Sequence, residues 1–240
     1  MTKNEVKNEV AVNEVQLPAY IKQNTNRGNE NVSTEDIQLP RIEVLQALSP
    51  QIKKSNSSYI DGAEVGMLFN TLTHELYDDR VGITPVTFTT RYLVWVDRKI
   101  DNNGGLRGVF DTEQDAHAFV AQQADKDKLE VVRTAEHLVL LDDGTEAILS
   151  MSKSKQKASR KFNSLIRLNG GDRFSRRYEL FSYEDSSAKG EFMNIDVANA
   201  GFPSEDIYYQ AESIYENVNA GNRQTQASYT DMQDEGAERY

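Results

Sequence analysis

The sequence contains no cysteine among its 240 residues. This absence excludes disulfides, cysteine nucleophiles and thiolate metal sites, and it fits a reducing cytoplasm. Hydrophobic residues make up only 38% of the chain, so we expect part of it to remain outside any packed core. No apolar run approaches the length of a transmembrane helix, and residues 1–15 lack the apolar centre of a signal peptide. These features predict a cytoplasmic protein with no membrane partner.

Motifs for catalysis and metal binding are also absent. The three histidines, His74, His117 and His137, lie far apart in the sequence, and none has a partner at the spacing of zinc ligands. Asn169–Asp172 is a glycine-containing turn without the Lys-Ser or Lys-Thr pair of a phosphate-binding loop. Acidic pairs such as Asp142–Asp143 fit solvated turns better than a Mg²⁺ site. We therefore predict a binding protein with no catalytic residue, metal or cofactor.

Composition divides the chain into three segments. Residues 1–34 repeat Asn-Glu-Val and are then rich in Asn, which predicts a disordered leader. Residues 35–219 contain the apolar runs and are predicted to form a single β-rich domain. Residues 220–240 are polar and acidic, and we expect a disordered C-terminal tail.

Apolar alternation predicts mainly β-strands in the central segment. Val86–Val96 is the strongest candidate because it is β-branched and aromatic throughout. Asp142–Thr145 is a turn that predicts a β-hairpin between its neighbours. Shorter strands are predicted at Leu39–Leu45, Gly66–Thr71, Leu138–Leu141, Ala147–Met151, Arg173–Tyr183 and Phe192–Val197.

Two helices have clear start signals. Thr112 can cap a helix that runs to about Asp125, with Asp115 at the capping-box position. Ser204–Val218 is amphipathic and begins with a capping serine. Ser152–Leu168 fits a helix or a long loop. The predicted fold is therefore mainly β (α+β), either an OB-like small barrel or a curved antiparallel sheet with two or three peripheral helices.

Charge is distributed unevenly along the chain. The net charge is -11, yet Lys153–Arg177 holds nine basic residues and one acidic residue. Ser204–Tyr240 holds eight acidic residues and two basic ones. A uniformly acidic protein would repel nucleic acid, whereas a concentrated basic segment can attract it.

The basic segment Lys153–Arg177 predicts a contact surface for nucleic acid. Cations on phosphates release counterions, and single-strand binders add aromatic rings on which bases stack. The candidate contact residues are Lys153, Lys155, Lys157, Arg160, Lys161, Phe162, Arg167, Arg173, Phe174, Arg176, Arg177 and Tyr178 in this segment, and Arg91, Tyr92 and Trp95 on the long predicted strand.

Two parts of this segment have different predicted structures. Lys153–Lys161 is predicted to be a mobile cationic arm, and Arg173–Tyr178 a strand where charge and aromatic rings meet. The alternative is that the charges form an ordinary solvated face. In that case Phe162, Phe174 and Trp95 belong to the core.

The acidic tail suggests a second contact. A negative segment can compete with DNA for a basic surface, offer a docking peptide to replication or transcription proteins, or simply aid solubility. The candidate partner-binding residues are Asp231, Asp234, Glu235, Glu238 and Tyr240.

Several runs in the first half of the central segment resemble early proteins of tailed bacteriophages. The resemblance covers roughly residues 37–100 and contains no catalytic motif. It rests on Leu39–Gln46, Ser49–Pro50, Gly62–Thr71 and Gly82–Val86. Proteins of that kind are described as single-stranded DNA-binding or replication-accessory proteins. The resemblance implies a phage protein that coats and protects single-stranded DNA during replication or recombination in the host cytoplasm.

Two alternatives remain open at this point. One is an early transcription regulator that binds duplex DNA, and the other is an inhibitor of a host protein with no nucleic-acid role. No helix-turn-helix is evident, which favours single-strand or non-specific binding. The sequence leaves open whether RNA is a partner and whether the protein forms homo-oligomers.

Overall fold

Nine strands and three α-helices make up the regular structure of the described chain. The structure is a computed structural model that describes residues 28–32, 37–96, 100, 104–188 and 190–221. The strands are β1 (Ile42–Val44), β2 (Leu68–Asn70), β3 (Leu76–Tyr77), β4 (Arg80–Val96), β5 (Gly105–Phe110), β6 (Leu129–Leu141), β7 (Glu146–Ser152), β8 (Tyr178–Ser187) and β9 (Gly190–Asn199). The helices are α1 (Glu113–Ala121), α2 (Gln156–Asn169) and α3 (Glu205–Asn219). Most of the predicted leader and tail lies outside the described residues.

The main sheet has six strands in the order β7-β6-β4-β8-β9, with β5 added beside β4. All of its pairings are antiparallel, and the longest joins β4 to β6 from Ile83–Leu141 to Val96–Leu129. Strands β1, β2 and β3 form a second, small antiparallel sheet. The predicted α+β class with an antiparallel sheet and peripheral helices is confirmed.

The main sheet stays open, because its strand order does not close on itself among the described residues. The OB-like barrel is therefore not the form that the chain adopts there. The two faces of the sheet are covered instead. Apolar side chains of α2 and the small sheet pack on one face, and those of α3 pack on the other.

Alternation along β6 shows how both faces are buried. Val139 and Leu141 belong to the core that α2 covers, whereas Leu138 and Leu140 belong to the core that α3 covers. Successive side chains of a strand point to opposite faces, so a strand buried on both faces reads as a continuous apolar run. The run at the end of β6 is such a sequence.

Both predicted caps are confirmed. The Thr112 hydroxyl accepts a hydrogen bond from the Asp115 backbone N–H at 3.1 Å, and it donates to the Asp115 carboxylate at 2.7 Å. Ser204 Oγ accepts from the Ile207 N–H at 3.3 Å. Capping satisfies helix N–H groups that have no partner within the helix. Helix α1 ends at Ala121, a turn earlier than predicted.

The basic segment differs most from expectation. Lys153–Lys155 is a short 3-10 turn that leads directly into α2, so the predicted mobile arm is an ordered turn and the start of a helix. The predicted strand from Arg173 is also wrong, because β8 begins only at Tyr178. The preceding residues turn the chain from α2 into β8. Ser175 N–H donates to the Asp172 carbonyl there at 3.0 Å.

Side chains block the outer edge of β9, an edge strand of the main sheet. Its backbone N–H groups at Met193, Ile195 and Val197 donate to the side chains of Gln46, Asn194 and Asp196, respectively, at 2.8–2.9 Å. An exposed strand edge with free N–H groups invites pairing with another chain. These three bonds remove that opportunity along the strand beside α2.

Replacing Phe162 with alanine should strongly destabilise the fold. Its side chain is fully buried and its ring contacts those of His137 and Tyr178 at 5.1 and 5.0 Å. Phe162→Ala should lower the free energy of unfolding by about 3–5 kcal/mol, measured by urea denaturation. The control is Phe202→Ala, because Phe202 is 68% exposed and should cost no more than about 0.5 kcal/mol. Equal effects of the two substitutions would contradict the assignment of Phe162 to the core.

Candidate nucleic-acid interface

Helix α2 has one buried side and one exposed side. Phe162, Ala158 and Ser159 are buried, and Leu165 and Ile166 pack against the same core. Residues three, four and seven apart share a helix face, so this apolar stripe fixes which side meets the sheet. The opposite side is exposed and carries Lys157, Arg160, Lys161, Ser164, Arg167 and Leu168. We call its four cations, Lys157, Arg160, Lys161 and Arg167, the α2 basic face.

Acidic residues neutralise three cations of the basic segment. Lys153 Nζ lies 2.9 Å from Glu130, and Lys161 Nζ lies 2.6 Å from Asp196. Arg177 forms a bidentate pair with the Asp142 carboxylate, at 2.8 Å from Nε and 2.6 Å from Nη2. Planar two-point pairs of this kind hold their geometry well. Arg177 therefore ties β8 to the β6–β7 turn.

Three cations of the α2 basic face have no such compensation. Lys157, Arg160 and Arg167 are exposed and form no ion pair within the described part of the chain. The charge of Lys157 contributes, as the smallest of several causes, to the lowered pKa of the partly exposed Asp185 carboxyl, which is due mainly to a hydrogen bond from Asn194. These three side chains are available to an external anion.

Arg176 stacks on an exposed ring. Its guanidinium carbon lies 3.9 Å from the centroid of Phe202, in the segment before α3. This is a close cation–π contact at the surface.

Asn169, at the end of α2, donates to Tyr178 Oη at 3.0 Å and to Asn199 Oδ1 at 2.8 Å. The helix end is thus joined to the start of β8 and the end of β9.

Four of the predicted stacking residues are in the core. Phe162, Phe174, Tyr178 and Trp95 are all buried, with exposed fractions of 0–8%. Helices and the small sheet cover both faces of the main sheet, so rings on either face pack against them instead of facing solvent. The structure supports the alternative that assigned Phe162, Phe174 and Trp95 to the core, and it places Tyr178 there as well. Lys155, in the 3-10 turn, is partly buried and engaged in an interaction.

Arg91 and Tyr92 point to opposite faces of β4. Arg91 pairs with Asp111, and its Nε lies 3.8 Å from Oε2 of the buried Glu136. Burial raises the pKa of Glu136 to about 7, although Arg91 and Arg41 act in the opposite direction. The charge of Arg91 is therefore compensated within the protein. Tyr92 is partly exposed on the face that carries α2.

A buried chain of polar contacts lies beneath α2, and the sequence did not reveal it. His137 Nε2 is 2.9 Å from Ser159 Oγ, and His137 Nδ1 is 2.8 Å from Arg173 Nη2. Arg173 also donates to Asn163 Oδ1 at 3.0 Å. The contacts join residues 22 and 36 positions apart, so no local motif marks them.

The direction of these bonds decides what His137 can do. A guanidinium only donates, so Arg173 donates to Nδ1 and the imidazole proton is on Nε2. Nε2–H then donates to the Ser159 hydroxyl. A base that activates a serine must accept the hydroxyl proton at that nitrogen. In this arrangement His137 holds Ser159 and Arg173 in place and supplies no base for the serine.

Burial and the nearby charge of Arg173 lower the pKa of His137 well below its ordinary value, so the ring is neutral. Burial likewise lowers the pKa of Arg173, to about 10. A cluster of three or more metal-ligating side chains does not occur among the described residues. No helix of the described chain is long and apolar enough to cross a membrane.

Comparison with known proteins identifies the family. Residues 7–224 match the family described as Pam3 phage gp34-like protein. The chain belongs to this phage family. No curated protein matches the chain, and no solved structure does. Membership supports the expectation of a phage protein that the runs at residues 37–100 raised. The match includes both α2 and the segment through Phe202.

The contribution of His137 to stability should fall as the pH drops below about 6.5, the ordinary histidine pKa. The unfolded chain takes up a proton on His137 there, while the folded protein keeps the ring neutral, so folding is disfavoured by up to about 1.4 kcal/mol per pH unit. Between pH 8 and pH 5, the free energy of unfolding from urea denaturation should therefore rise in His137→Gln relative to that of the unchanged protein.

The matched control for this measurement is His117→Gln, because His117 is exposed on α1. That variant should keep the pH dependence of the unchanged protein. Glu136 acts in the opposite sense: its raised pKa makes its contribution fall as the pH rises from about 4.5 to about 7. All three proteins contain Glu136, so its effect cancels in the comparison. Identical pH dependence in all three would rule out a buried neutral His137.

Proposed function

We propose that this phage protein binds nucleic acid, single-stranded DNA foremost, through the α2 basic face, and that it protects the strand in the host cytoplasm. One observation carries the proposal. Lys157, Arg160 and Arg167 are exposed on one helix face and have no ion pair among the described residues, in a chain of net charge -11. Phosphates are the ligands that such a row of cations attracts most strongly.

The way α2 lies on the sheet supports a single strand over base reading in a duplex. Phe162, Leu165 and Ile166 pack along the length of the helix. A recognition helix that reads bases must enter the major groove of a duplex. Within the described chain α2 follows β7 and a short 3-10 turn, so it is not the second helix of a helix-turn-helix. The cation–π pair of Arg176 and Phe202 adds an exposed ring on which a base can stack.

Reversing two charges of the α2 basic face should weaken binding. Arg160→Glu/Arg167→Glu should reduce the affinity for a single-stranded oligonucleotide at least about tenfold at low salt. The dependence of log affinity on log salt should become shallower by about one to two, because each lost phosphate contact removes about 0.7 from that slope. A fluorescence titration at two salt concentrations measures both quantities.

The matched control is Lys53→Glu/Lys54→Glu, which changes the net charge equally at two exposed lysines outside α2. Its loss should be clearly smaller, because these two lysines are not part of the α2 basic face and would make none of its phosphate contacts. Equal losses in the two variants would mean that only net charge matters. Failure of the unchanged protein to bind any oligonucleotide at low salt would refute the proposal.

The same titration separates the other two functions. A duplex-binding transcription regulator would bind duplex DNA at least as well as single-stranded DNA. An inhibitor of a host protein would bind neither. The proposed docking of replication or transcription proteins through Asp231–Tyr240 concerns residues outside the described chain. It stays a prediction, as does competition of that tail with DNA.

A further inference from the structure

Three residues of β4 line the sheet face that carries α2. Phe88, Thr90 and Tyr92 alternate with their neighbours and so point to one side. They are paired with His137, Ala135 and Arg133 of β6, respectively. His137 contacts Ser159 of α2, which fixes the face. We call Phe88, Thr90 and Tyr92 the β4 strip.

The β4 strip lies between two helices. On one side Gln156, at the start of α2, contacts Arg133, and its amide donates to the Arg133 carbonyl at 2.6 Å. On the other side Phe119 of α1 packs against Phe110 at 5.1 Å between ring centroids. Phe110 is the β5 partner of Tyr92, so α1 lies on the same face as α2. The strip is the floor of the space between them.

Side chains on this floor are accessible, unlike those of Ile83–Val86 and Leu93–Val96 in the same strand. Phe88 is 38% exposed, and Thr90 and Tyr92 are partly exposed. A single exposed phenylalanine is common on protein surfaces and indicates nothing by itself. The arginines that accompany Phe88 and Tyr92 give this one a specific meaning.

Arg173 lies over the Phe88 ring. Its guanidinium carbon is 5.6 Å from the Phe88 ring and 5.9 Å from the Phe162 ring. Its hydrogen-bond acceptors, Asn163 and His137, are neutral, and its Nε is buried without a partner among the described residues. A largely buried cation without an anion is costly, which is why burial lowers its pKa.

Arg133 lies at the other end of the strip, directly opposite Tyr92. It is exposed and donates to Thr90 Oγ1 at 3.3 Å and to Gln156 Oε1 at 3.4 Å. Like Arg173, it forms no ion pair within the described chain. An arginine with neutral partners therefore lies at each end of the strip, although the protein has 38 acidic residues that could pair with a cation.

Arg160 connects this floor to the α2 basic face. It lies one turn after Gln156, which contacts Arg133, and three residues before Asn163, which contacts Arg173. Residues at these spacings share a side of the helix. A strand bound along α2 thus has a continuous cationic path to the β4 strip.

We propose that the β4 strip, with Arg133 and Arg173, is a nucleotide subsite in which a base of a single strand stacks on Phe88 and its flanking phosphates meet the two arginines. Tyr92, four residues along the same face and about 14 Å away, offers the next ring. The subsite rests on the proposed function of α2. It requires unstacked bases, which a duplex does not present.

An abasic oligonucleotide separates stacking from charge. Phe88→Leu should weaken binding of an ordinary single-stranded oligonucleotide about 5- to 100-fold, the range for loss of one aromatic–base stack. Binding of an abasic oligonucleotide of equal length should not change, because its phosphates remain and it has no base to stack. The matched control is Phe181→Leu, because Phe181 also lies beneath an arginine, Arg80, but is outside the α2 basic face and the β4 strip. This variant should bind both oligonucleotides as the unchanged protein does.

Arg133→Gln tests the phosphate contact separately from stacking, through the salt dependence of binding. It should make the dependence of log affinity on log salt shallower by about 0.7 for both oligonucleotides. Thermal unfolding of each variant confirms that the fold is retained. If Phe88→Leu binds the ordinary oligonucleotide normally, or weakens both oligonucleotides equally, the subsite is refuted. The proposed function then stands if Arg160→Glu/Arg167→Glu still weakens binding. If the unchanged protein binds no strand, both proposals fail together.

Discussion

The contact of α2 with the main sheet is the interaction on which the rest of the structure depends. Phe162 lies at its centre, fully buried between His137 and Tyr178. Burying one phenylalanine contributes about 1.5–3 kcal/mol, and the Tyr178 ring adds an edge-to-face contact. This contact fixes the rotation of α2 about its axis. It therefore decides which side chains of the helix are buried and which cations face solvent.

The net charge of the chain is -11, yet it can present a cationic surface because some of its cations are paired with acids and others are exposed without an ion pair among the described residues. Lys153, Lys161 and Arg177 are paired with acids at the sheet, where they fasten α2 and β8. Exposed pairs of this kind contribute little to stability, but their cations are no longer available to bind an external anion. Arg160 and Arg167 remain exposed. The surface that attracts phosphate is thus narrower than the basic segment.

Local signals in the sequence predicted many of the elements but not the start of α2 or of β8, and tertiary contacts decided the site. Thr112 and Ser204 marked two helices because caps are local. Phe162 and Phe174 were indistinguishable from stacking rings, because burial depends on layers contributed by distant strands. The pairing of His137 with Ser159 and Arg173 is equally non-local. Phe88 was overlooked inside the strongest strand, since an alternating β pattern does not show which face a helix leaves uncovered.

Hydrogen–deuterium exchange of the intact chain, with and without a single-stranded oligonucleotide, tests most directly whether α2 is a docked helix that contacts nucleic acid. Amides of Gln156–Asn169 should exchange slowly in the free protein, because the helix is held by a buried face, and more slowly when the strand is bound. Rapid exchange of α2 in the free protein would contradict the docked helix. Protection by the oligonucleotide confined to other elements would contradict the proposed interface.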